Sequence, residues 1–78
     1  MRTKHLKLIV TFHTTTSAMA MEKICMERRV PGRLIPVPRD ITAGCGMSWC
    51  APVEARSKIE NTAKDACIET DGWYELMV

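Results

Sequence analysis

Cys45 is the residue of this chain best placed to do chemistry. It stands in the stretch Ile35-Pro36-Val37-Pro38-Arg39-Asp40-Ile41-Thr42-Ala43-Gly44-Cys45-Gly46-Met47-Ser48-Trp49. A thiol between Gly44 and Gly46 sits on bare backbone, without adjacent side chains to shield it. That suits a sulfur that a partner must reach. To react, the sulfur must be a thiolate. A free cysteine ionises near about pH 8.5, so cationic or helix-start surroundings are needed at neutrality. Arg39, upstream in the same loop, is a cation that could approach it. The plainer alternatives are a small loop residue that happens to be cysteine and a surface arginine paired with Asp40.

The other candidates offer less. Cys50 could resolve an adduct on Cys45 or pair with it, but pairing needs Cα atoms within about 7 Å. A strand between the two spans more than that, so packing is the better expectation. Cys25 falls on a helical stripe and Cys67 at a helix end. His13 with Cys45 and Cys50 makes three soft ligands. Structural zinc usually takes four, at closer pairwise spacing than Cys-x4-Cys, and no metal site is expected. His13 could assist a cysteine, but the sequence shows no third residue to orient it. The six methionines are scattered and suit gap-filling in a small core.

Those residues need positioning, and the elements are legible. His5–Phe12 is short and β-branched at its centre, a strand. Thr14, Thr15, Thr16 and Ser17 can each cap a helix. Residues 18–29 are rich in helix formers, with Ala18, Met21, Ile24 and Cys25 on one stripe. Pro31-Gly32 ends that helix. Arg33–Val37 is a second strand, and Pro36 and Pro38 lack amide donors, which places it at a sheet edge. Residues 42–46 form a loop and Met47–Ala51 a third strand. Pro52 opens a second helix reaching about Ala66, with Val53, Ile59, Ala63 and Ala66 inward. A turn over residues 68–72 leads to a last strand, Trp73–Val78.

Seventy-eight residues make one domain, residues 1–78. Its core will be small. Hydrophobic residues are 46% and charged residues 26%, an ordinary globular balance. A net charge of +2 without a basic cluster excludes nucleic acid as an expected partner. The apolar run Leu8–Phe12 is shorter than the roughly 7–15 residues of a secretory core. No membrane span is apparent, and a reducing cytoplasm is expected. There, cysteines are more often reactive or buried than paired.

The order β-α-β-β-α-β points to an α+β, ferredoxin-like sandwich, a four-stranded antiparallel sheet with two helices on one face. In that topology the loop after the second strand shares a sheet edge with the end of the first. Cys45 should therefore lie on the side of His13 and the amino end of the first helix, whose free amides favour an anion. A thiolate, persulfide or selenolate is such an anion.

The segment Arg33-Leu-Ile-Pro-Val-Pro-Arg39-Asp-Ile-Thr-Ala-Gly-Cys45-Gly46 resembles the short bacterial proteins of the selenium/sulfur carrier protein-like family, also described as a domain of unknown function. The pattern is a strand ending in Pro-x-Pro-Arg, then a small-residue loop with Ser/Gly-Cys-Gly. The layout agrees over nearly the whole chain, while residues 33–46 match closely. Cys67, where a glycine often closes the second helix, the Val30-Pro31-Gly32 helix exit and the extra Cys50 depart from the pattern. The resemblance implies that Cys45 carries the chalcogen, with Arg39 and the Gly44/Gly46 turn around it, and the topology adds His13 and Thr15 lining the edge. It implies a cysteine desulfurase-like donor and a downstream acceptor protein, no cofactor, and transfer without a substrate pocket, so that "enzyme" fits only loosely. The rival class is a small ferredoxin-like interaction module in which Cys45 is incidental. A short chain with exposed sheet edges also has the means to form a homodimer.

Overall fold

A computed structural model of the chain describes residues 5–41 and 45–77. Strand β1 spans Leu6–Thr11, helix α1 Thr15–Glu27, β2 Arg33–Pro36 and β3 Met47–Pro52. A 3-10 turn over Val53–Ala55 leads into helix α2, Arg56–Asp65, and β4 spans Gly72–Met77. The sheet order is β2-β3-β1-β4 with every neighbouring pair antiparallel. This is the α+β ferredoxin-like arrangement that the element order calls for, with proline-bearing β2 at an edge.

Alternation along the strands builds the two faces. Leu8, Val10 and Phe12 point to one side and are fully buried. Val10 stands between Trp49 of β3 and Trp73 of β4, and Leu8 opposite Ala51. Ala18, Met21 and Cys25 of α1 and Ile59 and Ala63 of α2 complete the same core cluster, so both helices cover this face. The other face carries Lys7, Ile9 and Thr11, with Cys50 and Tyr74 flanking Ile9. Ile9 and Thr11 are buried there as well. Part of the cover is Tyr74, whose ring folds back along β4: a Cβ on Gly72 would stand 2.8 Å from its hydroxyl.

Caps account for where the helices begin and end. Thr14 is the N-cap of α1, its Oγ1 accepting from the Ser17 amide at 3.1 Å. A hydroxyl cap satisfies one of the orphan amides of the first turn. With Thr14 as cap, Thr15 to Ser17 become the first helical residues and α1 starts three residues before Ala18. Its end is set before Pro31. Arg29 has φ +56°, and the amides of Arg29 and Val30 bond back to Met26 and Cys25 at 3.3 and 2.8 Å. That is a Schellman closure with a non-glycine residue in the left-handed position. Helix α2 closes in the same way: Cys67 has φ +55°, and its amide and that of Ile68 reach Lys64 and Ala63.

Two expectations for α2 change. Pro52 is the last residue of β3, not the first turn of a helix. Ala66 is exposed and Thr62 is buried instead, because the helix turns that flank to the core. The Thr62 hydroxyl donates to the Lys58 carbonyl at 2.7 Å, which satisfies it there.

Candidate functional site

The pairings Thr11 with Ser48, Pro36 with Met47 and Thr11 with Gly72 bring four strand ends to one edge of the sheet. Here β1 and β2 finish and β3 and β4 begin. Cys45 and Gly46 immediately precede β3, so they stand at the edge from which His13 and the amino end of α1 leave. The topological expectation for Cys45 is met by this register.

Local backbone explains the approach to Cys45. Pro38 to Ile41 forms a turn closed by the Ile41 amide on the Pro38 carbonyl at 3.0 Å. Ile41 is buried, which anchors the turn, and leaves Arg39 and Asp40 exposed at its tip. The Val37 amide donates to the Gly46 carbonyl at 2.9 Å and extends the β2–β3 pairing by one step. Gly46 has φ +80° with open space where a Cβ would be. Its requirement is therefore conformational, since L side chains rarely adopt that dihedral. Gly44 lies outside the described residues.

Cys45 itself is half-buried and packs against the helix-covered core. Its Sγ donates to the Met47 carbonyl at 3.5 Å, a weak, sulfur-length hydrogen bond. The sulfur is neither out in open solvent nor enclosed. Arg39 is exposed, and no hydrogen bond or ion pair joins it to Cys45 or to Asp40 among the described residues. Thr15 is exposed in the first turn of α1.

His13 has a partner that linear reading misses. Its Nδ1 lies 3.5 Å from Asp71 Oδ1. Asp71 is held by β1: its amide donates to the Thr11 carbonyl at 2.7 Å, and the Thr11 hydroxyl donates to Oδ2 at 3.4 Å. An Asp-Gly turn ahead of a last strand that pairs with β1 is the signal that points to it. The contact puts a carboxylate beside an exposed imidazole at the same edge as Cys45, a neighbour that the sequence alone does not show.

The remaining cysteines separate by environment. Cys25 is fully buried in the core, and burial pushes its thiol up to about 11. Cys67 is exposed at the end of α2. Cys50 is half-buried on the face of the sheet that carries no helix, opposite Ile9 and Arg33. It flanks the buried Ile9 there, outside the helix-covered core cluster. Cys45 packs on the helix side, so the two do not converge on one ligand set.

An α+β ferredoxin-like protein with a half-buried thiol just ahead of a positive-φ glycine at one sheet edge is the class that fold and site define. The model of a protein family described as "Putative Se/S carrier protein-like" matches residues 7–75, and the chain belongs to that family. No curated protein and no solved structure matches the chain. No helix among the described residues is long and apolar enough to cross a membrane.

Proposed function

We propose that the chain is a sulfur or selenium carrier and that Cys45 holds the cargo. The observation that carries this reading is the position of Cys45, in a member of a family named for chalcogen carriage. It is a half-buried sulfur just ahead of the positive-φ Gly46, at the edge where α1 begins. In the loading step the Cys45 thiolate attacks the terminal sulfur of a donor persulfide. The donor's S–S bond breaks, a new S–S bond forms on Cys45, and the donor leaves as a thiol. The products hold the same atoms and electrons, and no cofactor takes part. Transfer to an acceptor thiol repeats the exchange, and a selenium cargo would follow the same path through an S–Se bond.

In this account Arg39, the amides around Gly44 and Gly46, and the first turn of α1 at Thr15 stabilise the anionic adduct. His13, oriented by Asp71, supplies or accepts the proton as thiols are released. The donor is a cysteine desulfurase-like protein, the acceptor a second protein, and the compartment the reducing cytoplasm. A second copy would pair along the outer edge of β4, whose residues 72–77 contain no proline. The rival reading, an interaction module without chalcogen chemistry, draws on the contact of Cys45 with the core.

Peptide mapping tests the proposal. The reduced chain is exposed to a low-molecular-weight persulfide, alkylated and digested. The proposal expects the added sulfur on the Cys45 peptide in preference to the more exposed Cys67. Equal labelling of both, or labelling of Cys67 alone, would favour the interaction module.

A further inference from the structure

A second group of chemistry-bearing side chains lies away from Cys45, at the opposite edge of the sheet. Lys7 pairs with Pro52, Ile9 with Cys50, and Cys50 with Arg33. By strand alternation Lys7, Arg33 and Cys50 share the face that carries no helix. Arg33 is directly opposite Cys50, and Lys7 is its diagonal neighbour on the other side, within reach of long side chains. Together with Pro31, Gly32, Ala51 and Pro52 these three line a surface hollow of about 320 Å³. The hollow is wide enough for a small organic group. Neither Lys7 nor Arg33 forms an ion pair among the described residues. No acidic residue lines this hollow among the described residues, while Glu54 lines an adjoining one with His5 and Lys7. Gly32 lies against the Trp49 indole, whose buried N–H has no hydrogen-bond partner among the described residues.

A thiol that is partly open to solvent and stands beside lysine and arginine is in the setting where cysteines react. Two cations at the mouth of the hollow select for negative charge. Arginine in particular takes a carboxylate through two parallel hydrogen bonds. We infer that Cys50 with Lys7 and Arg33 is a site for a small carboxylate-bearing thiol, held as a mixed disulfide. The step is thiol–disulfide exchange with the oxidised, symmetric form of that thiol. Cys50 loses its proton and attacks one sulfur. The ligand's S–S bond breaks as the protein–ligand S–S bond forms, and the second half leaves as a thiolate that takes up a proton. The disulfide ligand is itself the oxidant. This site is independent of the carrier reading, because Cys45 has no part in it.

The test uses the full chain carrying Cys45→Ser, which separates it from any failure of the carrier proposal. Glutathione disulfide is the anionic probe and cystamine the cationic one, each followed by intact mass and peptide mapping at low ionic strength. Cys67, exposed and remote, serves as the internal reference. Cys50 is expected to take glutathione roughly tenfold faster than Cys67 does, an advantage of the size that electrostatic steering confers, and to show no such advantage with cystamine. Added salt should shrink the difference. Lys7→Gln with Arg33→Gln should abolish it, and Arg33→Gln alone, at an exposed edge residue, should reduce it even if the double variant folds poorly. Equal rates for the two probes at Cys50, or a Cys50 no faster than Cys67 toward glutathione, would overturn the inference.

Discussion

At the scale of single residues, the four cysteines behave as four different groups because their surroundings differ. Cys25 is the inert one. It is enclosed by the core, and desolvation raises its thiol from 9.0 to about 11. The consequence for stability has a definite sign. Between those two values the unfolded thiol has lost its proton and the folded one has kept it, so the unfolded state binds fewer protons and stability falls as pH rises. Below pH 9 the thiol is protonated in both states and the effect vanishes. The denaturation free energy should therefore drop between about pH 9 and pH 11 by up to about 1.4 kcal/mol per pH unit from this group. Urea titrations of the native chain and of Cys25→Ala over that window check it. The variant should be less stable throughout, through its cavity, but should lack this part of the slope.

At the scale of elements, the helix ends carry most of what is particular to this chain. Arg29 and Cys67 both occupy left-handed closing positions that ordinarily go to glycine. Holding a side chain there costs about 1 kcal/mol, partly returned by the greater freedom of glycine in the unfolded chain. Arg29→Gly should raise stability by about 0.5 kcal/mol, visible as a later denaturant midpoint with unchanged slope. Its side chain is exposed, so little packing is lost. Thr14→Ala should lower stability by about 1 kcal/mol through loss of the α1 cap. Because α1 begins at the end of the sheet that holds Cys45, the proposed carrier role expects the same substitution to slow persulfide loading, which stopped-flow thiol assays would register. The ion pairs made by the helices are at the surface. Arg28 bonds Asp65 at 3.2 Å, and Arg56 reaches Glu60 and Glu75 while lying 5.8 Å over the Trp73 ring. Exposed pairs of this kind contribute about 0–1 kcal/mol each.

At the scale of the whole molecule, the order of elements could be read from β-branched runs, helix formers and Pro/Gly punctuation, because those signals are local. The sheet edge that holds Cys45 followed from topology, since a β-α-β-β-α-β order leaves few ways to pair the strands. What escaped linear reading depends on long-range register. Asp71 meets His13 only because β4 pairs with β1, and Lys7 shares a hollow with Cys50 and Arg33 only because β1 and β2 flank β3. Thr62 took the inward place expected of Ala66 because α2 turns the flank of Ile59, Thr62 and Ala63 to the core, where the Thr62 hydroxyl is satisfied within the helix. The account as a whole rests on Cys45 as the cargo atom. The measurement that tests it most directly is intact mass after incubation with a cysteine desulfurase and cysteine, for the native chain and for Cys45→Ser. The account predicts a gain of one sulfur, about 32 Da and removable by thiol, on the native chain alone. No adduct, or the same adduct on both, would contradict it.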